Sequence, residues 1–209
     1  MITRSLMKRH YTENERVLSD APFFRRVTRK YYIENQAQWG SIKYGWYKRS
    51  NMAYSGCAVI AVWNTFVYFD RFTRVGAASQ LSNIIGDFES FGTVFGGAFG
   101  TSVIPVFFYL KKYFKKTWIS FMHGKRHYDR LGEKYDAFIV NTFNDAKNPA
   151  RGLHIVCITR DSRGFSVHNS YKKTHRGNYV VTIPYRTLSE AIAHINAAPL
   201  PVAVICVKE

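Results

Sequence analysis

A chain of 209 residues, 46% of them hydrophobic, suits one domain and buries a core of its own without disulfide staples or metals. Its three cysteines, Cys57, Cys157 and Cys206, stand in unrelated contexts with no CxxC or Cys/His cluster, which argues against a disulfide framework and a zinc site. The 30 Lys and Arg against 14 Asp and Glu give a formal charge of +16, which draws anionic partners without choosing among nucleic acid, acidic lipid and acidic peptide.

Met1 to His10 carries Arg4, Lys8 and Arg9, but no apolar stretch of a secretory signal follows. A reducing, cytoplasmic setting is therefore expected, with leaderless export left open. Residues 1–48 are polar, basic and rich in aromatics, including Tyr31, Tyr32, Trp39, Tyr44, Trp46 and Tyr47. They read as a basic aromatic arm packed on a domain spanning 49–209, with a short helix from Thr12 to Leu18 behind a Thr12/Glu15 capping pattern.

From Ala53 to Phe69 the chain carries no charge, and the run Ser55 to Phe69 predicts a helix apolar on every side, hence an interior one. Leu81, Ile84, Ile85 and Phe88 recur at helical spacing and predict a second helix over Leu81 to Phe91. Phe91 to Ser102 is glycine-rich and reads as a loop, without the GxxxxGK[ST] of a phosphate cradle. Ser102 then caps a third helix, Val103 to Lys116, with Pro105 in its first turn and lysines at its end. Neither apolar run matches the roughly 20 unbroken residues of a membrane span, so core helices are expected.

Beyond Lys116 the period changes. Trp118–Met122, Ala137–Asn141, Leu153–Thr159, Phe165–Asn169, Tyr179–Ile183 and Val202–Val207 predict short strands, with a hairpin turn at Asp161-Ser162-Arg163-Gly164. Thr187 and Glu190 form a capping box that opens a helix to about Asn196. Helices first and a mostly antiparallel sheet afterwards predict an α+β domain.

One cysteine stands out. Cys57 opens the buried helix after Ser55-Gly56, where unpaired N–H groups and the helix dipole would favour a thiolate. Asn51, six residues upstream, is an amide that could reach an oxyanion at that helix end. His154 lies at the mouth of one arm of the predicted hairpin and Asn169 at the end of the other, where an amide could orient an imidazole base. The other histidines are weaker: His123 and His127 in a basic loop, His168 on the face opposite Asn169, His175 and His194 exposed.

Asn51, Cys57, His154 and Asn169, in that chain order, resemble the site of papain-like cysteine peptidases. The likeness is to the bacterial branch that holds the double-glycine leader peptidase domains of bacteriocin exporters and the butirosin-pathway acyltransferase type. It rests on the amide before the Cys, Gly-Cys opening a buried helix, the glycine-rich loop before the Tyr109-Leu110-Lys111-Lys112 helix, and the His strand followed by an Asn strand. The family usually carries Gln where this chain has Asn51.

The resemblance implies a papain-like fold over Asn51 to Val207 and a thiol peptidase in which Cys57 is the nucleophile, His154 the base, Asn169 its orienter and Asn51 the oxyanion donor. Metal or organic cofactors are not implied. The substrate would be a peptide or an acyl group, with the basic surface suited to an acidic peptide. Acyl transfer on the same fold is the first alternative, and a catalytically silent basic domain that binds nucleic acid or an acidic partner is the second; a solvated surface explains the charges more simply than a nucleic-acid groove.

Overall fold

The computed structural model describes residues 3–21, 32–71, 76–98, 100–143, 153–174, 177–180, 184–195 and 201–209. Helix α1 (Arg4–Asp20) is longer than the predicted Thr12–Leu18 because its cap lies elsewhere: Thr3 Oγ1 accepts from Leu6 N at 3.2 Å. Thr12 caps nothing; its hydroxyl donates to Lys8 O, one turn back within the helix. The helix buries His10, Asn14 and Leu18. His10 Nδ1 meets Glu89 Oε1 at 2.7 Å, which docks α1 on helix α4 (Ala77–Phe91).

The expected Ser55–Phe69 helix is broken in two, α2 (Met52–Ser55) and α3 (Cys57–Tyr68), meeting at Gly56. A Cβ at Gly56 would stand 2.5 Å from Met52 Sδ and 2.6 Å from Met52 O, so the tight junction needs glycine. Every residue from Cys57 to Val67 is buried, as a charge-free sequence requires. In the middle of α3, Asn64 accepts from Ile33 N (2.8 Å) and donates to Ile33 O (3.0 Å), which straps an extended N-terminal segment across the helix. Asn64→Ala leaves both main-chain groups of buried Ile33 unpaired. The expected loss is about 2–5 kcal/mol, measured by urea unfolding; an unchanged midpoint would show that the strap contributes nothing.

Helix α4 buries Leu81, Ile84, Ile85 and Phe88, as their spacing predicts, and starts earlier, at Ala77. Helix α5 (Val103–Tyr113) is capped by Ser102, whose Oγ accepts from Ile104 N, and it stops short of Lys116 because that residue already pairs in strand β1 (Lys116–Phe121). Helix α6 (Lys125–Lys134) occupies what reads as a basic loop; only Tyr128, Leu131 and Gly132 of it are buried, too few apolar positions for the period to show. Strands β2 (Ala137–Phe143), β3 (Leu153–Asp161) and β4 (Gly164–His168) follow. The β3–β4 turn is as predicted, with Asp161 Oδ1 accepting from Arg163 N at 2.8 Å. Strands β5 (Tyr171–Thr174) and β6 (Gly177–Val180) form a separate ribbon; residues 181–183 of the predicted strand lie outside the described residues.

Helix α7 (Leu188–Ile195) has the predicted capping box, with Glu190 N on Thr187 Oγ1 and Thr187 N on Glu190 Oε2; its predicted end at Asn196 lies outside the described residues. Strand β7 (Ala203–Lys208) completes a five-stranded sheet, order β1-β7-β2-β3-β4, antiparallel at every pairing.

The fold is α+β, with helices on both faces of that sheet. Ala137, Ile139, Ile155, Cys157, Ala203 and Ile205 face α3, α4 and α5, and Leu18, Ile33, Ile42 and Tyr44 of the N-terminal segment join the same core. Phe138, Val140, Val156, Ile158, Val204 and Cys206 face α6 and α7. Burial on both faces explains why β2, β3 and β7 read as continuous apolar runs rather than alternating ones. Among the described residues no helix is long and apolar enough to cross a membrane.

Candidate active site

Cys57 heads α3 and is 7% exposed. Burial pushes its thiol up from the ordinary value, while the main-chain N–H groups of Ile155, Ala58 and Cys57 itself pull the other way. The expectation of a favoured thiolate is thus corrected: desolvation outweighs the N–H groups at the helix start, and the resting thiol keeps its proton. The Ile155 N–H that acts on the thiol puts it against the start of β3, one residue along the strand from His154.

His154 Nε2 lies 3.4 Å from the main-chain oxygen of Asn169. A carbonyl only accepts, so Nε2 carries the proton and Nδ1 keeps the lone pair, the form a base needs. Burial lowers the imidazole below its ordinary value against this bond, which raises it. Among the described residues no hydrogen bond joins Cys57 to His154. By strand alternation His154 shares its parity with Val156 and Ile158, which enter the other core, on the face opposite the core that holds Cys57.

The Asn169 side chain does not meet His154, contrary to expectation; the bond runs from the ring to the Asn169 backbone. Its side chain is held elsewhere: Oδ1 accepts from Gln36 N (2.9 Å) and Nδ2 donates to Gln36 Oε1 (3.0 Å). Its backbone is left-handed, φ 61°, and its N–H donates to Glu34 Oε2 at 3.1 Å. Glu34 Oε1 in turn meets His168 Nδ1 at 2.7 Å, and Thr159 Oγ1 meets His168 Nε2 at 2.8 Å, with Tyr32 stacked on the ring at 3.9 Å. His168, a weak candidate in the sequence, is thus a buried clamp that fixes the turn carrying the Asn169 carbonyl.

Asn51 is the N-cap of α2, with Oδ1 accepting from Tyr54 N at 2.9 Å. The cap leaves Nδ2 as the only donor its side chain can offer. Gln36, which the sequence did not single out, is better connected. Besides locking Asn169, its Nε2 donates to Ala53 O at 3.1 Å, the carbonyl that an unbroken helix would pair with the Cys57 N–H. Glu34-Asn35-Gln36 reads as a solvated polar turn, and nothing local marks its partners more than a hundred residues away.

Gln36→Leu removes both side-chain links and leaves Asn169 Nδ2 without its partner, while Oδ1 keeps its bond from the backbone N–H of residue 36. A drop of about 2–4 kcal/mol in urea unfolding is expected, with slower His154-dependent reaction at Cys57; stability equal to the parent would show that the lock is dispensable.

The glycine-rich loop packs on the segment that leads into the cysteine helix. Trp46 N and Tyr47 N both donate to Gly96 O (2.9 and 3.0 Å), and Ser55 Oγ, two residues before Cys57, donates to Gly97 O at 2.6 Å. At Gly97, φ 97°, a Cβ would stand 2.1 Å from Ser50 Oγ, so the approach excludes any side chain. Of the arm's aromatics, Tyr44 is fully buried and bonded to Thr101 Oγ1, whereas Trp46 and Tyr47 are exposed; Tyr31 lies outside the described residues.

The other histidines named in the sequence have partners of their own where they are described. His127 is on α6, bonded to Ser120 Oγ at 2.9 Å and ring-to-ring with His123; His194 packs on Tyr185; His175 lies outside the described residues.

No protein-family model, curated protein or solved structure matches this chain.

Proposed function

We propose that the protein is a thiol hydrolase of papain-like architecture, acting on a peptide or acyl substrate through Cys57 and His154. The observation that carries this reading is the junction of α3 and β3: a cysteine heading a wholly buried helix, its thiol against the β3 amide next to a histidine whose tautomer leaves Nδ1 free as base. The thiol and imidazole are both neutral at rest, so the proton moves as the substrate binds. His154 Nδ1 takes it from Cys57, the thiolate adds to the carbonyl, and the imidazolium returns it to the leaving group. In this reading the Cys57 N–H and Asn51 Nδ2 are the oxyanion donors; Asn51 Oδ1 is held by its cap on Tyr54 N.

Water, giving its proton to His154, then displaces the acyl group from Cys57, and the thiolate takes that proton back from the imidazolium; acyl transfer puts an amine in place of the water. A silent basic domain is the competing reading, and the raised thiol favours it, since a desolvated cysteine is more often a packing residue.

An epoxysuccinyl peptide separates them. Mass spectrometry is expected to find the adduct on Cys57 and not on Cys157 or Cys206, and to lose it in His154→Ala. Equal or absent labelling of all three thiols would overturn the enzyme reading.

A further inference from the structure

From Ser90 to Tyr128 the chain has no Asp or Glu, yet it carries Lys111, Lys112, Lys115, Lys116, Lys125 and Arg126. The same stretch holds eight of the twelve large hydrophobic side chains that the described residues leave in solvent. Exposed apolar groups scattered singly are ordinary; gathered beside unopposed positive charge they mark a surface with a use.

Helix α5 is where the two meet. From Val103 to Leu110 it has no charged side chain, although only one side of it enters the core, through Val103, Val106, Tyr109 and Leu110. On the outward side Ile104 is 44% exposed and Phe108, one turn on, 62%. Lys112 continues that row by another turn. Lys111 lies beside it, its ammonium 5.8 Å from the centre of the Phe107 ring, which is 5.3 Å from that of Phe108. At the end of α4, Phe91 is 52% exposed and stacks on Tyr109 with ring centres 6.3 Å apart, which adds apolar surface on the flank of α5.

We propose that the outward face of α5 docks the protein on the surface of an anionic bilayer, with Ile104 and Phe108 entering the acyl boundary and Lys111, Lys112 and Lys115 meeting acidic headgroups. The helix lies in the plane of the interface and spans nothing. Charge selects this occupant. A second copy of the chain, meeting the face about a two-fold axis, would set these lysines against their own counterparts. A nucleic acid matches the charge, but Ile104 offers no ring for a base to stack on, and Lys111 already covers the Phe107 ring. The proposal does not depend on the thiol-hydrolase reading.

Sedimentation with sucrose-loaded vesicles tests it, comparing pure phosphatidylcholine with a three-to-one mixture of phosphatidylcholine and phosphatidylserine. The parent is expected to bind the mixed vesicles at least about tenfold more tightly than the neutral ones. The double variant Ile104→Ser/Phe108→Ser is expected to lose about tenfold or more, because the apolar area that enters the acyl boundary is gone while every charge remains. Lys111→Gln/Lys112→Gln should lose about tenfold, and less at high salt. Arg4→Gln/Lys8→Gln, equally exposed on α1, should keep the parent's affinity. Phe108→Ser alone carries the comparison if the double serine variant does not fold.

Equal binding to the two kinds of vesicle, affinity unchanged by the serine variant, or a loss as large in the α1 variant would each overturn the proposal. So would binding of the parent to a single-stranded oligonucleotide, tighter than to the mixed vesicles, that the serine variant loses, or a parent dimer that the serine variant dissolves into monomers.

Discussion

Cys57→Ala is expected to abolish turnover of an activated ester or peptide anilide, and His154→Ala to lower kcat/KM by about 10²–10⁴, the span typical of a lost general base. Both variants should fold, because Cys57→Ala exchanges a thiol for a methyl at a helix start and His154 is half-buried at the end of a strand. The pH profile distinguishes a base from a structural histidine. Burial lowers the imidazole below its ordinary 6.5, so Nδ1 stays unprotonated further into acid and the acid limb of kcat/KM should fall below pH 6.5. On the alkaline side burial raises the thiol above 9.0. Iodoacetamide should therefore modify Cys57 slowly at neutral pH and faster as pH climbs past 9, the reverse of a cysteine stored as thiolate. A plateau of fast alkylation down to pH 5 would show a resting ion pair and refute the neutral pair.

Alkali should unfold this protein unusually early. Burial holds all three thiols above their ordinary 9.0, Cys157 and Cys206 at about 12. In the unfolded chain thiols lose their protons near pH 8.5–9, whereas in the native one they keep them, so above pH 9 the native state binds more protons and stability falls as pH rises. The contribution is fully present below the unfolded value and is lost through the native one. Each such group removes about 1.4 kcal/mol per pH unit, so Cys157 and Cys206 together cost about 5 kcal/mol between pH 9 and 11. Buried Tyr44 and Tyr109 are raised for the same reason and add to the loss above pH 10. Urea unfolding at pH 7, 9, 10 and 11 measures it. Cys206→Ala, once its lower stability at pH 7 is subtracted, should shallow the slope by one group; a flat profile would mean that the thiols are solvated in the native state.

How far the sequence reached depended on the range of the interactions. Local period and caps marked the buried α3, the α4 face, the Ser102 cap, the Asp161–Gly164 turn and the Thr187/Glu190 box, because each depends on residues within one or two turns. Helix α6 was missed for want of an apolar stripe, and α1 was cut short because Thr12 with Glu15 spells a capping box that the true cap, Thr3 with Leu6 three residues on, does not.

The candidate site divides the same way. Sequence alone determined that Cys57 opens an interior helix and that the β3–β4 hairpin brings His154 near Asn169. Tertiary structure decided what those groups do. Gln36, 133 residues away along the chain, takes the Asn169 side chain and leaves its carbonyl to accept from His154. The N–H groups at the helix start were legible, but the desolvation that outweighs them and raises the thiol comes from the sheet and the N-terminal segment closing over Cys57, and burial is a property of the whole packed chain rather than of any stretch of it.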